Sequence, residues 1–348
     1  MDVMTFPYTA VQLTQQVNRI PNLFGLINEL NVFPSFGSIS TIVEVRRDEF
    51  TLSVLPAAER GGQGSAAERK RGDALFFEVP HFPHDEFIGP RDLQNMLQQV
   101  GNTLVPKTLE AETAKRLFQI RNKHAITREW LRMSALKGQI VDGHGALVYD
   151  LFDAFGFDKK TIYFDLANAN ADIVGACRKL FEQIALNLKG EVMSFVRVIV
   201  DPGFMDKFVE HPKVNKYWVN WQAAAEAANR QRTEAGGQFG RRFVFQKIEF
   251  VEYMGFASVK ENGSLVSKPF VDPGKGHAYP VGTMSTFGTW DAPPEDIRFV
   301  NEPGQEIFIS PKVLDHGAGV EFHTQSNPLP LCKRPEVLVE VSMEANPG

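Results

Sequence analysis

Apolar and polar positions change period several times along the chain, and these changes predict a mixture of helices and strands. The longest helical pattern covers residues 108–137 and contains no Pro or Gly. Its apolar residues recur at helical spacing among many Lys and Arg side chains, which is typical of an amphipathic helix. Thr108 is the predicted N-cap, and Gly138 follows the last helical residue. At about 1.5 Å per residue, this helix would be roughly 45 Å long.

A long hairpin is predicted over residues 41–79. Apolar and polar residues alternate around Phe50 at the period of two that strands show, and residues 74–79 form the returning strand. The connection from Pro56 to Asp73 is rich in Gly and charge, and it is far longer than the roughly 2–5 residues of ordinary hairpin turns. Because a two-stranded ribbon is marginal alone in water, two interpretations are open. The tip lies on another surface, such as a neighbouring subunit, or it is a disordered surface loop.

The remaining patterns predict shorter elements. Residues 1–40 indicate an extended arm that lies along another surface, with a short helix at 9–17 capped by Thr9. Further helices are predicted at 90–99, 172–188, 205–210 and within 222–240. A hairpin is predicted at 139–149, and further strands at 195–200, 242–252, 254–259, 281–289, 306–309 and 337–341. The chain has no internal repeat and no heptad pattern. The predicted fold class is therefore α+β.

Composition narrows the class of protein. The chain has 348 residues, of which 43% are hydrophobic and 23% charged, as in soluble globular proteins of one large or two ordinary domains. The formal net charge of −5 argues against a protein that grips nucleic acid through a basic face. The N-terminus predicts no signal peptide, and no apolar run predicts a membrane span. The 28 Phe against 6 Tyr and 4 Trp favour packing over chemistry.

The candidate metal site is a cluster of imidazoles and carboxylates at His81, His84, Asp85 and Glu86. Residues of these types three positions apart could share a zinc ion, which would make the protein a metal-dependent soluble enzyme using His81, His84 and Asp85. The alternative is a structural segment, because proline breaks the backbone here and no distant further ligand is evident. The pattern favours the structural segment.

Two other sets of residues are candidates for chemistry. Cys177 or Cys332 with His144 or His277 could form a thiol–imidazole pair, but apolar surroundings favour buried, inert thiols. Two cysteines are too few for a disulfide framework. The second set is a run of basic residues along the long helix. We interpret this run as a solvated or subunit-facing surface rather than a phosphate-binding stripe, because acidic residues interleave with it. The run consists of Lys115, Arg116, Arg121, Lys123, Arg128 and Arg132.

Several segments, in chain order, carry a resemblance to one protein family. The most specific is Glu-Phe-His-Thr-Gln-Ser-Asn-Pro-Leu-Pro at residues 321–330, followed by Lys-Arg-Pro at 333–335. The other segments are 77–85, 88–93, 135–138, 250–253 and 281–284. In this order they resemble segments of the lambda-type major capsid proteins of tailed phages. The resemblance covers most of the chain and is weakest at residues 1–40 and 205–240.

The resemblance implies the Hong Kong 97-type capsid fold, which is α+β. It also implies a division of the chain into the domains of that fold. These are an N-terminal arm at 1–40, an extended hairpin loop at 41–79, a peripheral domain at 80–170 with a spine helix at 108–137, an axial domain at 171–319, and a return to the peripheral domain at 320–348.

The implied function is a major capsid protein whose copies assemble as hexamers and pentamers into the icosahedral head shell around phage double-stranded DNA. The expected partners are other copies, a separate scaffolding protein and a portal, and a decoration protein is left open. No cofactor, metal, catalytic residue, membrane or sequence-specific DNA binding is expected. The expected location is the virion, after assembly in the host bacterial cytoplasm. The alternative within this fold is a nanocompartment shell around protein cargo.

The resemblance also suggests a role for the hairpin tip. Arg60, Arg69, Lys70 and Arg71 are the candidate residues for contact with an acidic surface of a neighbouring subunit. Individual exposed ion pairs contribute only about 0–1 kcal/mol. These residues are therefore expected to adjust the geometry of the contact more than its strength.

Overall fold

Helices and strands alternate along the computed structural model, which describes residues 6–22, 24–46, 74–94, 97–100, 103–106, 108–229, 240–261 and 263–347. The helices are α1 (Ala10–Arg19), α2 (Leu26–Glu29), α3 (Leu109–Lys137), α4 (Leu151–Phe155), α5 (Ile173–Asn187), α6 (Pro202–Glu210) and α7 (Pro212–Asn229). The strands up to the middle of the chain are β1 (Ser35–Gly37), β2 (Ile42–Arg46), β3 (Ala74–Glu78), β4 (Phe82–Ile88), β5 (Leu97–Val100), β6 (Thr103–Pro106), β7 (Gln139–Val141), β8 (Leu147–Asp150), β9 (Lys160–Tyr163) and β10 (Phe195–Val200). The later strands are β11 (Arg242–Phe245), β12 (Ile248–Glu252), β13 (Phe256–Glu261), β14 (Ser264–Pro269), β15 (Lys275–Val281), β16 (Phe287–Asp291), β17 (Phe308–Val313), β18 (Val320–Ser326), β19 (Pro328–Cys332) and β20 (Val339–Ser342).

Contacts between residues divide the chain into two compact units. Unit 1 consists of Met1–Val43, Phe77–Leu131 and Gly288–Leu331. Unit 2 consists of Glu44–Phe76, Arg132–Phe287 and Cys332–Gly348. The boundaries of these units differ from those of the implied arm, extended loop, peripheral domain and axial domain. The functional division into those domains therefore stays a prediction.

Unit 1 contains the long helix as far as Leu131 and the antiparallel sheet β17-β18-β4. The predicted helix is confirmed as α3, and the hydroxyl of Thr108 accepts the N–H of Ala111. Burial alternates over the first part of β18, where Val320 and Phe322 are buried and Glu321 is half-buried, so one face of the sheet is apolar there. Ile120 of α3 shares one buried cluster with Ile309 and Phe322.

Helix α1 of the N-terminal segment packs on other elements of unit 1, and the arm over residues 1–40 stays a prediction. Thr9 caps α1 as predicted, and the side chains of Thr9 and Gln12 each bond the other's backbone N–H. Leu13 and Val17 of α1 are fully buried in the same cluster as Ile120. The segment thus behaves as part of the core of its own unit.

Unit 2 is built on a mixed six-stranded sheet in the order β11-β12-β10-β15-β20-β9. Phenylalanines fill one side of it, as the composition indicated. The rings of Phe208 on α6 and Phe250 on β12 lie 4.3 Å apart between centroids. Phe164 makes edge contacts with Phe204 and Phe208. These aromatic contacts hold α6 against the sheet.

The structure corrects the predicted helix at 90–99. A short 3-10 helix at Pro90–Asp92 is followed by the antiparallel pair β5 and β6. The Asp92 carboxylate accepts the N–H of Gly89 at 2.9 Å and closes a single turn. The chain then pairs Leu97–Val100 with a second short strand, and this cross-strand hydrogen bonding replaces the helical pattern.

Other predicted boundaries also change. The predicted strand at 242–252 is a hairpin of β11 and β12, because Gln246 and Lys247 adopt positive φ angles of 50° and 64° and reverse the chain. The predicted strand at 281–289 is the end of β15 and the start of β16. Helix α7 begins at Pro212, well before the helix predicted within 222–240. The long hairpin is confirmed at its base, where β2 pairs with β3, and residues 47–73 lie outside the described part.

Candidate functional site

The predicted contact residues of the hairpin tip, Arg60, Arg69, Lys70 and Arg71, lie outside the described residues, and their role stays a prediction. The ribbon base is described. Val43 and Val45 of β2 and Phe77 of β3 are buried, whereas the alternate residue Phe76 is 66% exposed. A large exposed aromatic side chain on a ribbon suits a surface that another molecule covers.

The predicted metal cluster is separated by the geometry of β4. Because side chains of a strand alternate between faces, His84 meets Glu86, at 3.1 Å between Nε2 and Oε1. Asp85 instead pairs with His323 of β18 at 2.5 Å. His81 contacts the side-chain oxygen of Asn327 at 2.9 Å.

Lys123 lies 3.0 Å from His84 Nε2 and also contacts Glu86, so a cation already occupies the space beside this pair. Among the described residues, no three His, Cys, Asp or Glu side chains are placed to hold one metal ion. The geometry contradicts a metal-dependent enzyme that uses His81, His84 and Asp85 together.

The two thiols are buried, Cys177 in α5 and Cys332 in β19, and the histidines considered with them lie in other elements. Burial raises the pKa of Cys177 to about 12, and it also raises the pKa of Cys332. His144 lies in the β7–β8 turn, where its backbone N–H donates to Asp142. His277 is buried in the centre of β15, and burial lowers its pKa well below the ordinary value. The cysteines are therefore protonated at neutral pH and have the character of apolar packing residues.

Two residues of the basic run on α3, Arg121 and Arg128, belong to a buried ion-pair network. The prediction of a solvated or subunit-facing surface is wrong for these two residues. The guanidinium of Arg128 donates to the two carboxylate oxygens of Asp291 at 2.8 and 2.6 Å. It also donates to the hydroxyl of Ser35 at 2.8 Å. Side-chain exposure is 5% for Arg128 and 3% for Asp291, so the pair is removed from water.

Arg121 extends this network two turns earlier on the same face of α3. Its Nε donates to the carbonyl of Ile20 at 3.1 Å, and its guanidinium pairs with Glu306 at 2.5 Å. The seven-residue spacing of Arg121 and Arg128 was the sequence signal for a shared face. Their acidic partners are distant in sequence and could not be found from it.

Glu129 connects α3 to the N-terminal segment from a neighbouring position. Its carboxylate oxygens accept the N–H groups of Ile27 at 2.7 Å and Asn28 at 3.1 Å, at the start of α2. Gly25 allows this approach, because its φ is +96° and a Cβ there would lie 2.2 Å from the carboxyl carbon of Glu129. Buried polar groups of α3 thus bind the backbone of the N-terminal segment at several points.

His124 is buried and faces the sheet of unit 1. Its Nδ1 lies 2.8 Å from the hydroxyl of Ser326, and its Nε2 lies 3.0 Å from that of Thr324. Burial, followed by neighbouring basic side chains, lowers the pKa of His124 to about 3. The imidazole is neutral at pH 7, and its role is to satisfy two buried hydroxyls.

Comparison with known proteins identifies the family of the chain. A model of the family described as phage major capsid protein E matches residues 9–343, which is nearly the whole chain. The chain belongs to this family. The resemblance to tailed-phage major capsid proteins is therefore confirmed.

Two phage proteins match the chain along nearly all of their length. The chain is 34% identical to the major capsid protein of Salmonella phage Felix O1, over 97% of this chain and 96% of that protein. It is 26% identical to the major capsid protein of Pseudomonas phage KPP10, over 96% of each. As a major capsid protein of a tailed phage, the chain is a structural component of the virion, and its copies form an icosahedral shell. This family match favours the phage shell over a nanocompartment.

Solved structures confirm the α+β fold of the Hong Kong 97 type. A protein assigned as the capsid protein of a prophage of Escherichia coli CFT073 superposes with a TM-score of 0.63, at 12% identity, over 97% of this chain and all of that one. A phage-related protein from Bordetella bronchiseptica gives 0.54, also at 12% identity, over 97% and 98% of the two chains. No helix in the described part of this major capsid protein combines the length and apolar character needed to cross a membrane.

Proposed function

We propose that copies of this chain form hexamers and pentamers, and that these tile the head shell around double-stranded DNA. The observation that carries the proposal is the match of residues 9–343 to a family of phage major capsid proteins. A shell of one chain needs contacts that repeat by symmetry, and each contact can be modest because closed assembly multiplies it.

The extended hairpin supplies one such contact in this proposal. Its base, β2 and β3, is a two-stranded ribbon, and Phe76 there is 66% exposed. A ribbon of this kind gains stability when it lies across a neighbouring copy. Arg60, Arg69, Lys70 and Arg71 at the tip then meet an acidic surface of that copy.

The proposed contents and partners follow from charge and from the family. The chain has 37 basic and 42 acidic side chains, a balance that suits a container which encloses DNA without gripping it. A separate scaffolding protein and a portal take part in assembly in the host bacterial cytoplasm. The chain performs no catalysis, and two thiols with raised pKa values support that part of the proposal.

The test is assembly of the whole chain, expressed alone and together with the other head proteins of its phage. Negative-stain electron microscopy of the sedimenting fraction should show isometric shells, tubes or capsomer rings. Shells that form only with the other head proteins would identify dependence on a scaffold. A strictly monomeric protein in both preparations would contradict the proposal.

A further inference from the structure

The ribbon of β13 and β14, Phe256–Pro269, is a separate feature of unit 2, and no described strand pairs with its outer edge. The two strands pair only with each other among the described residues. Ser264, Leu265, Val266 and Ser267 of β14 are all exposed. An unpaired strand edge is a site where another strand can add, and proteins usually protect such edges.

The root of the ribbon is firmly built, so its exposure is not a sign of a loose element. Tyr253 and Phe270 stack across the root, 5.0 Å apart between centroids and 3° from parallel. Gly255 makes room for them, since a Cβ there would lie 2.5 Å from the Tyr253 ring and 2.7 Å from Phe270. Phe270 donates its N–H to the carbonyl of Gly255 at 3.1 Å.

One face of the ribbon is held against unit 2. Ala257 and Val259 of β13 are 5% and 2% exposed. The backbone N–H of Lys260 donates to the carbonyl of Gly143 in the β7–β8 turn at 3.0 Å. The ribbon is therefore fixed by its root, by its inner face and by the edge of β13.

The register identifies which backbone groups face outwards on β14. Gly255 and Phe270 form a hydrogen-bonded pair, and such pairs alternate with pairs whose N–H groups point away from the partner strand. Lys260 and Leu265 are opposite each other, and the outward N–H of Lys260 confirms that theirs is a pair of the second kind. Ser258 and Ser267 form another such pair. The N–H groups of Leu265 and Ser267 thus point to the free edge.

The same residues carry the outer face. Residues directly opposite each other on paired strands share a face, so Leu265 and Ser267 lie on the face of Phe256, Ser258 and Lys260. Phe256 is 60% exposed and Leu265 is 75% exposed. This face therefore carries two large apolar side chains, the hydroxyl groups of two serines and the ammonium group of Lys260.

This chemistry selects the class of partner. A single lysine is too little charge to bind phosphate backbones, which protein surfaces contact through several Lys and Arg residues. Apolar anchors beside an open strand edge suit another protein, joined by main-chain hydrogen bonds and burial of the anchors. Copies of this chain carry a net charge of −5 and repel one another. A contact through this face, which carries no acidic residue among Phe256, Ser258, Lys260, Leu265 and Ser267, does not bring further negative charges of two copies together.

We propose that Phe256–Pro269 is a contact between copies of this chain in the shell. In this contact, a strand of a neighbouring copy pairs with the outward backbone groups of Leu265 and Ser267, and Phe256 and Leu265 are buried. The inference rests on the proposed self-assembly and adds a second contact to it, apart from the extended hairpin.

Two variants test the two parts of this contact. Phe256→Ser/Leu265→Ser removes the apolar anchors, and Val174→Ser is its control, since Val174 of α5 is also apolar and 45% exposed. Ser267→Pro removes one outward N–H without touching the ladder of the ribbon itself, and Ser267→Ala is its control because alanine keeps that N–H. Far-UV circular dichroism and the thermal midpoint of each unassembled variant establish that it folds.

We expect the double serine variant and Ser267→Pro to raise the protein concentration needed for shells by about tenfold or more, because each contact recurs throughout the assembly. Both controls should assemble as the unchanged chain does. If the folded variants form shells at the same protein concentration as the unchanged chain, the ribbon contact is overturned and the proposed function is not affected. An unchanged chain that forms no shell in any preparation would instead overturn the proposed function, and this contact with it.

A photoreactive amino acid at position 265 identifies the partner directly. Illumination of assembled particles should produce dimers of this chain, with the crosslinked peptide mapped by mass spectrometry. A crosslink to another head protein would overturn the contact between copies and assign the ribbon to that protein. Absence of any crosslink in intact shells would also contradict the contact.

Discussion

Single residues of α3 determine how unit 1 is held together. Arg128 and Asp291 are almost completely buried, and each depends on the other for its charge to be compensated. Removing one member of such a pair typically costs about 3–5 kcal/mol, because the remaining charge stays in a medium of low polarity.

We therefore expect Arg128→Ala to lower the free energy of unfolding of the unassembled chain by about 3–5 kcal/mol in denaturant titrations. Arg178→Ala is the matched control, because Arg178 pairs with Glu182 on the surface of α5 and is 79% exposed. The control should leave the midpoint unchanged. An equally small loss of unfolding free energy in both variants would show that the buried pair stabilises the fold no more than the exposed pair does.

The buried His124 predicts how the stability of the fold changes in acid. Its folded pKa is about 3, below the ordinary value of 6.5, so the unfolded chain binds a proton first as the pH falls. The stability due to a neutral His124 is present above pH 6.5 and decreases between pH 6.5 and 3, by about 1.4 kcal/mol for each pH unit.

The His124→Asn variant should have a flatter dependence of unfolding free energy on pH over this range, measured by urea titration at several pH values. Its absolute stability at pH 7 will be lower, because hydrogen bonds to Thr324 and Ser326 are lost. The slope is therefore the informative quantity. Equal slopes for the two proteins would refute the assignment of the buried, neutral imidazole.

At the scale of elements, α1 is an integral part of unit 1. Leu13 is fully buried in the cluster that includes residues of α3, β17 and β18, whereas Val11 on the same helix is 52% exposed. Leu13→Ala should therefore cost about 2–5 kcal/mol of unfolding free energy, and Val11→Ala should stay within about 0.5 kcal/mol.

Calorimetry of the unassembled chain measures this difference. If the N-terminal segment instead detached and lay on a neighbouring copy, both substitutions would have little effect on the isolated chain. That result would support an arm that lies on a neighbouring copy.

At the scale of the whole molecule, assembly should respond to charge at the hairpin tip. Replacing Arg60, Arg69, Lys70 and Arg71 by Glu reverses the expected attraction to an acidic surface of a neighbouring copy. We expect a large loss of sedimenting shells with little change in the thermal midpoint of the unassembled chain. Replacement of Glu59, Glu68 and Asp73 by Gln, which removes acidic side chains from the same tip, is the control and should not reduce assembly.

Salt provides a second measurement of the same contact, since exposed charges are screened beyond about 10 Å at 0.1 M ionic strength. The assembly yield should fall as salt rises if the tip pairs with acidic groups. A shell yield unaffected by both the charge reversal and salt would exclude this role for the tip.

The sequence predicted elements whose causes are local. Helix α3 could be predicted because caps, spacing and the absence of Pro and Gly act within neighbouring turns. The Thr9 cap, the α5 helix and the base of the long hairpin were predictable for the same reason. The family resemblance, carried most specifically by residues 321–330, predicted the fold type and the function that the family match confirms.

Only the tertiary structure decided which polar residues are internal and where short elements change direction. Arg128 is buried because Asp291, 163 residues later, compensates its charge. Residues 97–100 form a strand because β6 supplies their backbone partners. The N-terminal segment folds into unit 1 because groups such as Glu129 bind its backbone. Each of these outcomes depends on partners remote in sequence, and their free energy appears only when the chain has brought them together.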